Sequence, residues 1–120
     1  MRALLFLAIF LASTASAHRS ESARREFEQA TPCPSTGVTT GKCRDYVIDH
    51  KLPLCAGFPD AASNMVWEEL RESMVKDQEE RKFCAKLKTG KIPATTSPIE
   101  LCTLFRRERW PLLEAANCPK

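Results

Sequence analysis

The sequence predicts a small disulfide-stapled α+β domain, built on two short strands, one long helix and flanking helices. Three observations predict it. Six cysteines, Cys33, Cys43, Cys55, Cys84, Cys102 and Cys118, all follow an apolar leader. Two short β-rich runs, 44–48 and 64–67, stand on either side of a stretch marked by Pro53, Gly57 and Pro59. Residues 68–88 then form a run of strong helix formers with no Gly or Pro.

The leader, "MRALLFLAIFLASTASA", has a basic start at Arg2, an apolar stretch from Leu4 to Leu11, and small residues at Ala15-Ser16-Ala17. It reads as a secretory signal peptide over 1–17, too short to be a membrane span. Cleavage there gives a mature chain of about a hundred residues starting at His18, enough for one domain. No later run is apolar and long enough to cross a bilayer, so a secreted protein without a membrane anchor is expected. In such a setting an even cysteine count implies three disulfides. The wide spacings and the lack of any Cys-x-x-Cys pair count against zinc. Six cysteines admit fifteen pairings; the working expectation takes them in sequence order, Cys33–Cys43, Cys55–Cys84 and Cys102–Cys118.

The formal charge of +3 includes Arg2 and is low for a chain that lives on nucleic-acid electrostatics. Basic residues do gather at Lys42, Arg44 and Lys51, at Lys82, Lys86, Lys88 and Lys91, and at Arg106, Arg107 and Arg109. Any one of these clusters reads as an ordinary solvated surface.

In chain order, 18–30 is an N-terminal arm whose "SESARREFEQA" forms a short helix or stays loose. Turns follow at Pro32, Pro34, Gly37 and Gly41. A strand over 44–48 leads to Asp49-His50, a loop over 51–63 comes next, and a second short strand spans 64–67. In the helix over 68–88, Trp67, Leu70, Met74, Asp77, Cys84 and Leu87 fall near one face, and Trp67 and Met74 read as core. Asp77 interrupts that stripe: it is either paired with Arg81 one turn on or directed at a site. Gly90 and Pro93 end the helix. Ser97, Pro98 and Glu100 mark another start, and that helix stops near Arg109 before Pro111. Residues 31–88 thus read as the main domain, and 89–120 as a helical extension packed on it.

An Asp and a His at a strand end, with an Asn returned by a loop, have a chemical use. Phosphodiester hydrolysis needs an activated water, charge neutralisation on the phosphate and a stabilised leaving oxygen. A neutral imidazole can take the proton from water, and a carboxylate beside it can hold a divalent cation. Those roles suit His50 and Asp49, with Asn64 tying the loop to the strand.

The ordered series "PCPSTGVTTGKC", "YVIDHKLPL", the Gly57 to Asp60 turn, "SNMVW" and "KDQEER", with fourteen residues from His50 to Asn64, resembles the HNH, or ββα-metal, nucleases. It is most similar to a branch of small cysteine-containing HNH proteins. The likeness covers Thr31 to Cys84, about half of the mature chain. It implies two strands and a helix gripping one divalent ion (Mg, Mn or Zn), with Asp49 as ligand, His50 as general base and Asn64 as organiser of the loop. The family's further helix ligand falls near Ser73, and the nearest substitute is Asp77. Arg44, Lys51 and Lys76 are the candidate nucleic-acid contacts. The implied substrate is DNA rather than RNA, read with low sequence selectivity, since no sequence-reading module accompanies the motif. Phe58 stands where this branch tends to have Gly, and Cys55 is shifted by one position. These departures support an alternative, a secreted binding or effector protein that keeps the scaffold without catalysis. A copper centre at His18 is set aside, because the only other histidine is His50.

Overall fold

The computed structural model describes residues 20–94 and 97–118. The predicted leader, its cleavage site and His18 lie outside the described residues. The elements are α1 (Glu21–Ala30), β1 (Tyr46–His50), β2 (Met65–Glu69), α2 (Leu70–Lys88), α3 (Pro98–Glu108) and α4 (Pro111–Asn117), with short 3₁₀ turns at Leu54–Ala56 and Ala62–Asn64. The fold class is α+β, with one two-stranded antiparallel sheet and three disulfides.

The N-terminal arm is a helix. The Ser20 hydroxyl accepts from the Ala23 amide at 3.2 Å, which satisfies one of the free donors of the first turn. Ala23 and Phe27 bury against Met65, with Ile48, Ala62 and Trp67 around them. The Phe27 and Trp67 rings lie 5.6 Å apart, and the Trp67 indole donates to the Thr31 carbonyl at 2.7 Å. That one apolar patch fixes α1 across the hairpin.

The first strand begins two residues later than the composition suggests and runs through His50. Asp45 has φ 65°, the left-handed region that Asp tolerates better than most residues, so the chain turns there before extending. The register pairs Ile48 with Trp67, Asp49 with Val66 and His50 with Met65. Side chains alternate across a strand. Ile48 and His50 therefore lie on the α1 side, and Asp49 on the α2 side together with Glu68.

The long helix differs from its prediction in two ways. Glu68 and Glu69 belong to β2, so α2 starts at Leu70. Its buried residues are Ser73, Lys76, Glu79 and Phe83, whereas Leu70 is 48% and Met74 60% exposed. Met74 is not core, and Asp77 is exposed, outside any apolar stripe. The physical reason is that the first half of α2 covers Asp49 and Glu68, so polar residues face inward there. The apolar face starts only at Phe83.

Beyond Gly90, Phe83 packs with Ile92, Leu101, Leu104, Phe105, Trp110 and Leu113 into the larger core. The sequence reading gave no helix after Pro111, yet α4 forms there. Pro111 occupies its first turn. Buried Glu79 of α2 accepts from the Leu112 amide at 3.1 Å and the Leu113 amide at 3.0 Å, which caps α4 from outside.

The disulfides pair in sequence order: Cys33–Cys43, Cys55–Cys84 and Cys102–Cys118. The second ties the loop after β1 to α2, and the third ties α3 to the end of α4. No helix among the described residues is long and apolar enough to cross a membrane.

Candidate active site

The site forms where the end of β1 meets the first half of α2. Asp49 is buried, and both of its oxygens are engaged. Oδ1 accepts from the His50 amide at 2.8 Å and Oδ2 from the Lys76 ammonium at 2.8 Å. The same ammonium donates to the His50 carbonyl at 2.6 Å and lies 3.5 Å from Glu68 Oε2. Lys76 is 0% exposed, so it supports the floor of the site and is not free to meet a phosphate at the surface. Burial pushes the Asp49 carboxyl up, but hydrogen bonds from Glu68 and Lys76, the Lys76 charge and the His50 amide outweigh it and hold the group below its ordinary value. Burial, the hydrogen bond with Asp49 and the Asp49 charge push Glu68 up to about 7, against the pull of Lys76. Glu68 Oε2 is buried and has no donor from another side chain or the backbone. A proton on Glu68, shared with Asp49 below about pH 7, accounts for both facts and leaves Asp49, Glu68 and Lys76 neutral as a group.

Asp77 and Glu80 stand one turn apart on α2, and each offers a carboxylate oxygen within 4.8 Å of the others and of one on Asp49. An ion with oxygen bonds of about 2.1 Å needs ligand atoms roughly 3–4.2 Å apart, so this group could hold one small cation if its oxygens draw to within that range. The donors are all oxygen, which suits Mg²⁺ or Mn²⁺ better than Zn²⁺. Burial pushes the Glu80 carboxyl up, and the charges of Asp49 and Asp77 add to this against those of Lys76 and His50. Glu80 was not among the residues picked from the sequence. Its signal was present in "KDQEER", three positions after Asp77.

His50 is 4% exposed, and its Nε2 lies 2.8 Å from Asp60 Oδ1. The other Asp60 oxygen accepts from the Ser20 amide at 2.6 Å, which anchors it to the start of α1. With Asp60 ionised, Nε2 carries the proton and Nδ1 is left as the basic nitrogen. Asp60 closes the Gly57–Asp60 turn that is part of the resemblance, but nothing in the sequence assigns it a role of its own.

Asn64 holds the connecting loop. Its amide donates to the carbonyls of Leu52 at 3.0 Å and Pro59 at 3.1 Å, and its oxygen accepts from the Leu52 amide at 2.9 Å. The structure therefore brings Asp49 and Asp77 together; His50, next to Asp49 in the strand, turns its ring to the other side of the hairpin, and Asn64 holds the loop that follows. Arg44 is exposed, 3.8 Å from Asp45, and Lys51 is exposed beside a groove that also holds Trp67. Among the described residues Asp77 makes no ion pair with Arg81. Comparison with family models, with curated proteins and with solved structures finds no match to this chain.

Proposed function

We propose that this chain is a secreted, metal-dependent nuclease of the HNH type, hydrolysing phosphodiester bonds in DNA with low sequence selectivity. One observation carries the reading: three carboxylates close enough to draw round a single hard cation lie at the same strand end as a histidine whose ring is fixed by an acid. Asp49, Asp77 and Glu80 would hold the ion. When bound, it would neutralise phosphate charge and polarise the phosphorus–oxygen bonds. His50 Nδ1 takes the proton from the attacking water, and Asp60 steadies the imidazolium that results. Asn64 keeps the loop carrying Asp60 in register with the strand carrying His50. Lys76 fixes the Asp49 carboxylate and the His50 carbonyl in one grip, so ligand and base keep a constant separation. Three disulfides suit an oxidising compartment, which supports the secreted part of the reading.

Plasmid digestion with Mg²⁺ or Mn²⁺, against a chelator control, tests it. His50→Ala should lower the rate by about 10²–10⁴-fold, the usual worth of a general base, while metal still binds. Cutting by His50→Ala at the wild-type rate would discard the mechanism.

A specific observation favours a second reading. The Lys76 ammonium already neutralises Asp49 from inside the protein, so the scaffold is electrically satisfied without an ion. A secreted binding protein that keeps this architecture without catalysis would show neither DNA cleavage nor any rise in melting temperature with Mg²⁺ or Mn²⁺.

A further inference from the structure

A cleft of about 460 Å³ runs along β1 on the side opposite the carboxylates, between the strand, the start of α1 and the turn at Gly41–Cys43. His50 closes one end of it, and Tyr46 lies toward the other, roughly 13 Å of strand away. Arg24 and Lys42 stand on its walls against a single acid, Glu21, which leaves a surplus of one positive charge before His50 is counted. Lys42 is exposed. Arg24 is 51% exposed and reaches Glu28 through Nε at 3.2 Å. The half-buried rings of Tyr46 and Trp67 supply flat apolar wall, and Trp67 is immobilised by Phe27 and the Thr31 carbonyl.

The geometry points to this cleft as the binding site for an unpaired nucleotide next to the bond that is cut. Its size is that of a small-ligand pocket, far below what a duplex needs. Cations beside flat aromatic surface are what single-stranded nucleic acid requires: phosphates meet the charges and bases stack without regard to sequence. The cleft is continuous with the proposed base, since His50 belongs to both. A phosphate over the end of β1, where the two sides of the hairpin meet, places its neighbouring nucleoside in this cleft and itself beside the carboxylates. The unpaired nucleotide has two sources, a single-stranded substrate or a base turned out of a duplex. The inference rests on the nucleic-acid reading above. It adds to it that Arg24, Lys42 and Tyr46 choose unpaired substrate.

The test is fluorescence anisotropy in EDTA, so that no cutting occurs, with a labelled 12-mer as single strand, as mismatched duplex and as intact duplex. The single strand should bind at least about 10-fold tighter than the intact duplex. A mismatched duplex that binds like the single strand identifies base extrusion as a source, and one that binds like the intact duplex restricts the source to single strands; both agree with the proposal. Tyr46→Leu should weaken binding by about 5–150-fold, the loss of one stacked base. Lys42→Gln should weaken it and lower the slope of log affinity against log salt by about 0.7, one phosphate contact on a single strand. Arg24→Gln should act alike, but it also leaves buried Glu28 unpaired, so Lys42→Gln with an unchanged melting temperature is the deciding variant. Lys91→Gln, an exposed cation after α2, is the control. The proposal is overturned if intact duplex binds as well as single strand. It is equally overturned if Lys91→Gln costs as much as Lys42→Gln, or if the cleft takes an extended peptide along β1 and no oligonucleotide. Tight single-strand binding without Mg²⁺-dependent cutting would remove the nuclease reading and leave this one standing. Cutting with an affinity untouched by the cleft variants would do the reverse.

Discussion

The two ends of α2 serve opposite interiors. At its start the helix presents Lys76 to Asp49 and Glu68, an interior of ions and hydrogen bonds. At its finish it presents Phe83 to Phe105 and Trp110, whose rings lie 5.7 and 6.1 Å away, an interior of edge-on aromatics. Burial is similarly complete in both, since Lys76 is 0% and Phe83 1% exposed. What differs is what burial demands. The aromatic end needs only shape and apolar area. The ionic end needs each charge matched, and one shared proton completes the match. A region that must be balanced in this way is costly to build, and it is where chemistry is possible.

The largest effect should come from breaking each end in turn. Phe83→Ala opens a cavity and Lys76→Met strands the negative charge that Asp49 shares with Glu68; each should cost about 3–5 kcal/mol in denaturant unfolding. The two losses should respond differently to repair. Adding Asp49→Asn and Glu68→Gln to Lys76→Met should recover stability, because the loss is one of charge. If that triple variant is no better than Lys76→Met alone, the ionic end is held by packing and the contrast fails.

Metal should act on one end only. Mg²⁺ or Mn²⁺ at 100 times its dissociation constant should stabilise the folded chain by about 2.7 kcal/mol, seen as a higher melting temperature. Asp77→Asn and Glu80→Gln should abolish that rise with little change in the metal-free melting temperature. A rise of equal size in both variants would show that the ion binds elsewhere.

The ionic end should also make stability depend on pH. Glu68 is held up to about 7, so between its unfolded value of 4.5 and about 7 the folded chain keeps a proton that the unfolded chain has released. Stability should therefore fall as pH rises through that window, by on the order of 1–3 kcal/mol. Asp49 works in the opposite sense and lower down: its stabilisation is present above 3.8 and is lost as pH falls further. Melting curves from pH 5 to pH 8 in chelator should show the decline, and Glu68→Gln should flatten it. An unchanged decline in Glu68→Gln would move the titrating group elsewhere. The smallest effect should come from Met74→Ser, within about 0.5 kcal/mol, since that side chain is 60% exposed; a loss above about 2 kcal/mol would return Met74 to the core.

The same contrast explains what could be read from the sequence. Apolar periodicity, turn residues and cysteine count are local, and they led to the strand pair, the long helix, the helix from Pro98 and the three bridges. The inward face of α2 was missed because periodicity looks for apolar residues, and this helix turns a lysine and a glutamate inward. Asp49, His50, Asn64 and Asp77 could be chosen from their order in the chain. Asp60 and Glu80 lie in stretches that carried the resemblance, yet neither could be given a role, because an acid takes its role there only through a partner distant in sequence: Ser20 is 40 residues from Asp60, and Glu80 is converted from surface charge to possible ligand by a strand that precedes it. The helix at Pro111 was missed for a like reason, since its cap is supplied by Glu79, 33 residues earlier.

Glu79 also bears on whether the hairpin and its helix can be moved. A strand–strand–helix unit looks portable, a cassette to be cut out at Lys88 and set into another protein. Here the cassette would leave with raw edges. Glu79 would lose the two amides that it caps, and Phe83 would face water where Phe105, Trp110 and Leu113 had covered it. Any transplant, by an engineer or by recombination between genes, has to carry the last two helices along or supply substitutes for both contacts. The inheritable unit is larger than the site it serves.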